Sequence, residues 1–233
     1  MSVGRFKDLC VDVGSTSLMA AFWGQVLGLT TPADNPEVLL GDRPEKTIWL
    51  NQVPEPRTVK QRVHLDVHTG AIEDLERLGA SVLEPITEEQ HWAVMADPEG
   101  GEFCGFVREN HSEYRLMELV VDSADAEAQA RWWAGIVGGD FSHDPDKPWY
   151  WLENVPGLPF QYWVFVPVPE PKTVKNRIHW DITADDLDAV LAAGATLLRP
   201  KDDTISWHVC ADPEGNEFCV FLPPATEESD GEA

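Results

Sequence analysis

The sequence predicts an α+β fold made of two homologous domains, each holding two copies of a strand–helix–strands module. Three observations lead to this prediction. The segments PEPRTVKQRVHLDV and MADPEGGEFCGFV return 115 residues later as PEPKTVKNRIHWDI and CADPEGNEFCVFL. An alternating apolar stretch, then an amphipathic one, then further apolar stretches occur four times along the chain. With 43% hydrophobic and 25% charged residues, the chain has the composition of a globular protein.

The repeat sets the domain organisation, because a long internal period marks a repeated structural unit. Counting identities between residues 54–107 and 169–222 gives 24 of 54 positions. The front halves match more loosely at an offset of 110, so the second copy carries five extra residues between Gly138 and Pro169. We expect two domains, with their junction between about 107 and 115, and an acidic disordered tail, at residues 1–110, 115–224 and 225–233.

Local patterns predict the elements of the first copy. Residues 6–13 alternate as a strand does, and residues 15–27 have the spacing of an amphipathic helix with Ser15 as its N-cap and Gly28 as its stop. A second helix is expected between Thr69, as its cap, and Gly79. Short apolar stretches predict further strands at 38–40, 47–53, 62–67, 82–83, 92–96 and 102–107.

The second copy repeats this order and ends, like the first, on a DPEG turn between two strands. Its helices are expected at 123–137 and 183–193, and its strands at 116–121, 150–153, 162–168, 177–182, 196–198, 207–211 and 217–222. In the turn, Asp97 can accept hydrogen bonds from the backbone ahead of it, and Pro98 presets φ. The insertion around 142–159 carries the cluster Trp149-Tyr150-Trp151 and could reshape the mouth of one pocket.

Charge and cysteine content narrow the class of partner. A net charge of −24 argues against nucleic acid, since phosphate contacts need Lys and Arg. The same charge favours a cationic ligand, although a solvated acidic surface that aids solubility explains it as well. No apolar run is long enough to span a membrane, and the four cysteines do not form a disulfide framework. We therefore expect a cytoplasmic protein, monomeric or homodimeric, without nucleic-acid or membrane partners.

The order strand, helix, FWGQVLG, then HLD or HWD opening a second module, then DPEG-x-EF, resembles the glyoxalase/bleomycin-resistance group. This is the vicinal-oxygen-chelate superfamily, and the tandem glyoxalase-like domain proteins are the most similar type. The resemblance covers about residues 6–222. It implies that each domain closes a curved mixed sheet from two βαβββ modules around a cavity. Members include metal-dependent lyases, isomerases, dioxygenases and thiol transferases, and metal-free drug-binding proteins.

The resemblance also implies metal-ligand positions on the first and last strands of the modules. His64 and His179 match one of them, but Cys104 and Cys219 stand where the family has Glu, and another position falls near Trp49 and Val164. Because the usual set is broken, no cofactor is expected. The alternative is a divalent metal, Zn, Fe or Mn, held by His64, Cys104 and Asp8 or by His179, Cys219 and Glu118.

Two further patterns indicate a ligand site. His64 and Asp66 lie on one face of their strand, as do His179 and Asp181. Each pair is interpreted either as a ligand-facing base with its orienting carboxylate or as a satisfied polar cluster near Arg62 or Arg177. Ten tryptophans suit an aromatic pocket, although most of them can equally be core. The expected ligand-binding residues are His64, Asp66, Trp92, Cys104, His179, Asp181, Trp207 and Cys219, and no catalytic residue is assigned.

Three function classes stay open. The first is a metal-free small-molecule-binding protein of the glyoxalase/bleomycin-resistance type, which sequesters a natural product or drug and so confers antibiotic resistance. Its ligand would be cationic or planar and aromatic. The alternative is a lyase, isomerase or dioxygenase-type enzyme that uses His64 or His179 with or without a divalent metal. The third is a degenerate domain pair with an interaction role.

Overall fold

The computed structural model describes residues 2–224, so the tail expected at 225–233 lies outside the described residues. Four modules follow one another along the chain, and each begins with a strand and a helix. The elements of the first two modules are β1 (Gly4–Val13), α1 (Thr16–Leu27), β2 (Val38–Leu39), β3 (Ile48–Gln52), β4 (Val63–Thr69), α2 (Ile72–Leu78), β5 (Ser81–Glu84), β6 (Ala93–Ala96) and β7 (Glu102–Val107).

The third and fourth modules belong to the second copy of the repeat. Their elements are β8 (Leu116–Ser123), α3 (Ala126–Val137), β9 (Asp140–His143), β10 (Tyr150–Glu153), β11 (Tyr162–Pro167), β12 (Ile178–Ala184), α4 (Leu187–Ala192), β13 (Thr196–Arg199), β14 (His208–Ala211) and β15 (Glu217–Phe221). The sequence did not predict β9, which lies in the inserted segment and pairs with β10.

Helix ends follow the predicted signals at α1, at α2, which stops at Gly79, and at α3, which ends at Val137, whereas the starts of α2 and α3 depart from them. Ser15 caps α1 by accepting a hydrogen bond from the Leu18 N–H, and Gly28 ends it at φ 70°. Helix α2 is preceded by Ala71 rather than Thr69, because Thr69 is still part of β4 and its hydroxyl donates to the Ala71 carbonyl. Helix α3 likewise begins later than expected, capped by Asp125, since β8 continues to Ser123.

The α+β class and the tandem arrangement are confirmed, but the modules do not pair as expected. The seven-stranded sheet has the order β13-β14-β15-β12-β1-β3-β2 and so joins the fourth module to the first. The eight-stranded sheet has the order β5-β6-β7-β4-β8-β11-β10-β9 and joins the second module to the third. The expectation that each repeat closes its own sheet is therefore wrong. The division of the chain into domains at 1–110 and 115–224 stays a prediction.

Two antiparallel strand pairs produce this exchange. Each pair joins the opening strand of a module in one repeat to the opening strand of a module in the other. β1 pairs with β12, and β4 pairs with β8. Both pairs are interrupted by a bulge at the same repeat position, which is Lys7 in β1 and Met117 in β8. The Pro-bounded segments 53–62 and 168–177 carry the chain from one sheet to the other.

Buried aromatic side chains fill the space between helices and sheets. Trp133, Trp163 and Trp180 are each fully buried, and their ring centroids are 4.9–5.1 Å apart. Trp23, on α1, is 3% exposed and belongs to the same core. The third helix tryptophan, Trp132, is half-buried and donates its indole N–H to the Ala193 carbonyl.

The DPEG turns tie the two sheets together. The Glu99 carboxylate accepts hydrogen bonds of 2.7 Å from the backbone N–H groups of Gly14 and Ser15, at the start of α1. Glu214 makes the equivalent contacts with Ala124 and Asp125 at the start of α3. Charge-assisted bonds at a helix N-terminus stabilise both groups. Each repeat therefore holds its two modules together across different sheets.

Within residues 2–224, no helix is both long and apolar enough to cross a membrane.

Expressing the two repeats separately, cut between residues 110 and 111, should leave each without a partner for its central strands. We expect each half alone to be unfolded or self-associated, and the two halves to form a folded heterodimer when co-expressed. Circular dichroism and native mass spectrometry measure both states. Two halves that each fold as stable monomers would contradict the exchanged pairing, and the intact chain is the control.

Candidate functional site

Each sheet carries one cavity, and each cavity is lined by both repeats. The cavity of the eight-stranded sheet, here called the His64 cavity, has a volume of about 480 Å³. The cavity of the seven-stranded sheet, the His179 cavity, has a volume of about 440 Å³. Volumes of this size accommodate a small organic molecule.

The structure places all eight predicted ligand-binding residues on the walls of these two cavities. The four from the first repeat lie in the His64 cavity and the four from the second lie in the His179 cavity, as follows: His64, Asp66, Trp92 and Cys104, then His179, Asp181, Trp207 and Cys219. Their role in binding a ligand stays a prediction.

The first-strand acids lie in the opposite cavities from those expected. Glu118 pairs in register with Asp66, and Asp8 pairs in register with Asp181. Neither alternative metal set is therefore brought together as expected: Glu118 lines the cavity of His64 and Cys104, and Asp8 lies beside Asp181 on the other sheet. The exchange of modules between sheets is the reason, because it brings β8 beside β4 and β1 beside β12.

His64 and Asp66 form a hydrogen-bonded dyad on β4. His64 Nδ1 lies 2.7 Å from Asp66 Oδ1, and both side chains are largely buried. Burial by itself lowers the pKa of His64, but the charge and hydrogen bond of Asp66 outweigh it and raise that pKa above its ordinary value. Nδ1–H donates to Asp66, which leaves Nε2 free for another group. The contact to Arg62 that one interpretation expected is absent among the described residues, since Arg62 donates to the carbonyls of Glu170 and Asp122.

Glu118 lies opposite the dyad as an acid without a partner. Its carboxyl makes no hydrogen bond or ion pair with any residue between 2 and 224. Burial, and then the charge of Asp66, raise the pKa of Glu118 to about 8, although the charge of Arg108 opposes them. Burial and the same neighbouring acids hold the pKa of the Cys104 thiol well above its usual range. At neutral pH the cavity floor thus holds a neutral carboxylic acid and a neutral thiol beside the dyad.

The His179 cavity has the same framework but a different set of contacts. His179 Nε2 is 3.9 Å from Asp181 Oδ1, beyond hydrogen-bond distance. Burial lowers the pKa of His179 and, together with the nearby Asp8, raises that of Asp181. Asp8 is held at 2.5 Å by the Lys7 ammonium and at 3.1 Å by the Trp49 indole N–H.

Aromatic side chains form the walls of the His64 cavity. Trp92 stacks on Phe106 with centroids 5.7 Å apart and planes 26° apart. Trp149 and Trp151 come from the inserted hairpin of the second repeat, and Tyr162 lies beside them on β11. The insertion therefore shapes the cavity of the first repeat's His–Asp pair, because the exchange of modules places it there.

Two groups of donors are close enough to hold a metal ion, with donor atoms within 4.8 Å of one another: His64, Asp66 and Cys104, and Cys10, His179 and Asp181. Imidazole, carboxylate and thiolate suit Zn²⁺, so the donor chemistry of the first group fits a divalent metal. The second group does not fit, because the Lys7 ammonium lies 3.9 Å from Asp181 Oδ2 and places a positive charge beside the donors.

A third cleft of about 530 Å³ lies between the equivalent loops 53–62 and 174–177. Its cations are already engaged within the protein. Arg62 and Arg177 donate to the backbone carbonyls of Glu170 and Glu55 in the opposite repeat. Lys60 is 3.1 Å from Asp122, and Lys175 pairs with Asp12. The cleft therefore serves as the junction between repeats.

The sequence did not assign several cavity-lining residues to the cavity that they line. Lys7 lines the His179 cavity from a bulge of β1 that has no sequence signal. Glu118 was assigned to the other cavity, and Lys60 and Tyr162 carried no motif. Trp149 and Trp151 could be noticed as a cluster, but their position depends on which sheet receives the insertion.

Comparisons with known proteins agree with this architecture. A family model described as "Glyoxalase-like domain" matches residues 8–106 and again residues 118–221. Glyoxalase I from Zea mays is 15% identical, with a TM-score of 0.69 over 94% of this chain and 92% of the maize chain. The cppA protein from Streptococcus pneumoniae TIGR4 is 10% identical, with a TM-score of 0.51 over 95% of this chain and 99% of its own. At these identities the likeness shows the fold alone. No curated protein matches the sequence.

Replacing Asp66 with Asn should lower the pKa of His64, because the neutral amide removes the charge that offsets burial. Imidazole NMR titration measures this, with the His64 signal assigned from His64→Gln. The equivalent change in the other cavity, Asp181→Asn, should leave the titration of His64 unchanged. An unaltered pKa of His64 in Asp66→Asn would show that the dyad does not form.

Proposed function

From the membership of this chain in the glyoxalase-like domain family, which the two matches establish, we propose that it is a small-molecule-binding protein. The His64 cavity is its main binding site, and the ligand is a planar aromatic or cationic compound such as a natural product or drug. The observation that carries the proposal is a cavity of about 480 Å³ with aromatic walls and a few polar groups on its floor.

The walls favour a planar ligand. Indole rings at Trp92, Trp149 and Trp151 provide flat apolar surfaces, and offset stacking on such rings adds about 0.5–1.5 kcal/mol beyond burial of area. The floor offers the free Nε2 of His64 and the carboxyl of Glu118 to polar groups of the ligand. A small number of convergent polar groups in an apolar cavity is enough to orient a bound ligand, and no reaction has to follow.

The groups on both cavity floors favour ligand binding without a metal. In the His179 cavity the ammonium of Lys7 is beside the donors, and in the His64 cavity the raised pKa of Cys104 keeps its thiol protonated at neutral pH. A divalent metal, were it loaded, would be held by His64, Asp66 and Cys104 and would supply Lewis acidity.

One observation favours an enzyme as the second candidate. The His64–Asp66 dyad resembles a general base with its orienting carboxylate, and Glu118, with a pKa of about 8, could donate a proton across the same cavity. A lyase or isomerase needs such an acid and base on opposite sides of its substrate. Turnover of an identified ligand that is lost in His64→Gln, while affinity is retained, would favour this candidate over a binding protein.

Quinoline and acridine are suitable probes of the proposed site. We expect binding to quench tryptophan fluorescence, and Trp92→Ala to weaken it by about 1–2 kcal/mol through lost stacking and burial. The matched control is Trp207→Ala, the equivalent residue in the His179 cavity, which should leave the affinity unchanged. Equal losses in both variants, or no quenching by any planar aromatic compound, would contradict the proposal.

Protein purified without chelator should contain far less than one transition metal per domain. Inductively coupled plasma mass spectrometry measures the content directly. Stoichiometric zinc, iron or manganese that disappears in His64→Gln would show that the site is a metal centre. The matched variant His179→Gln distinguishes the two cavities.

A further inference from the structure

The two cavities are built on residues at equivalent repeat positions, so their side chains can be compared position by position. Glu118 occupies the repeat position of Asp8, Asp66 that of Asp181, and Phe106 that of Phe221. In both cavities the two acids come from adjacent antiparallel strands and face each other in register.

In the His179 cavity an ammonium group of the protein lies among these residues. Lys7 Nζ is 2.5 Å from Asp8 and 3.9 Å from Asp181. It also lies 4.2 Å from the centroid of the Phe221 ring, a cation–π contact. Two carboxyl groups and an aromatic face thus form a receptor for a cation, and the chain fills it with its own side chain.

The His64 cavity has the same receptor without the lysine. The bulge position of β8 is Met117, which carries no charge. His64 is engaged with Asp66, and Lys60 Nζ is held 3.1 Å from Asp122. Among the residues described, no Lys or Arg comes within ion-pair distance of Glu118. The nearest positive charge that acts on it, Arg108, does so only at longer range, and its guanidinium lies 5.8 Å from the centroid of the Phe106 ring.

The surroundings favour an organic cation over a bare ion. Phe106 and Trp92 form a stacked pair on one wall, and Trp149 and Trp151 line the same cavity. Aromatic rings grouped around an acid are the arrangement that recognises ammonium groups, which are attracted to ring faces. The raised pKa of Glu118 reflects burial and the neighbouring charge of Asp66, and a cation would relieve the cost of ionising it.

We propose that the His64 cavity binds an organic ammonium compound, whose charged group takes the position beside Glu118 that the Lys7 ammonium takes beside Asp8. This inference rests on the proposed small-molecule-binding function and names its ligand class, an aromatic amine or quaternary ammonium. Met117 is the residue whose identity leaves the position open.

Three probes with one phenyl ring and different charge test the proposal: 2-phenylethylamine, 2-phenylethanol and 3-phenylpropionate. Isothermal titration near pH 8 is expected to show the amine binding at least tenfold more tightly than the alcohol, and the carboxylate more weakly than both. Glu118→Gln should remove the advantage of the amine and leave the affinity for the alcohol unchanged. Thermal unfolding of each variant confirms that it is folded.

Met117→Lys is the sharper variant, because it supplies the ammonium that the His179 cavity already has. It should abolish the advantage of the amine. Lys7→Met is the matched control and should leave the affinity of the His64 cavity for the amine unchanged. If Met117→Lys does not fold, Glu118→Gln still decides the question.

The outcomes separate this inference from the proposed function. Equal affinity for the amine and the alcohol would overturn the cation site and retain an aromatic-binding cavity. A preference for the amine that survives Glu118→Gln, or that is lost in Lys7→Met, would place the cation elsewhere and overturn the assignment. If none of the three probes binds and planar aromatic compounds also fail, both proposals are overturned.

Discussion

The antiparallel pairing of β4 with β8 and of β1 with β12 is the constraint on which the rest of the structure depends. It joins a strand of one repeat to a strand of the other in each sheet. Both cavity floors are therefore composite, with the histidine from one repeat and the opposing acid from the other. The Glu99 and Glu214 carboxylates then hold the exchanged modules against the first helix of their own repeat.

Small differences on this shared framework make the two cavities chemically unlike. Lys7 at the bulge of β1 forms an ion pair with Asp8, whereas Met117 at the equivalent bulge leaves Glu118 without an ion pair among the described residues. Trp49 fills part of the His179 cavity and donates to Asp8, while Val164 at the equivalent position leaves room for the tryptophans of the inserted hairpin. Changes at a few floor positions of a duplicated domain thus give one cavity whose floor acid is paired with a lysine of the chain and one cavity whose floor acid has no such pair.

The sequence predicted the elements and the site residues better than their grouping. The cap at Ser15, the stop at Gly28 and the alternation of His64 with Asp66 are local signals, and the structure shows each of them. Strand partners are non-local, and the similar first strands of the two repeats carry no local signal that says whether they pair within or between copies. For this reason Glu118 and Asp8 were assigned to the wrong cavities, although both were recognised as candidate ligands.

Cross-strand Hα–Hα nuclear Overhauser effects test the exchanged pairing, and with it the composition of both cavities, most directly. The exchanged pairing predicts such effects between β4 and β8, for example between Leu65 and Leu119, and between β1 and β12, for example between Leu9 and Trp180. Effects that instead connect β1 with β4 and β8 with β12 would show that each repeat closes its own sheet and would contradict the exchanged pairing.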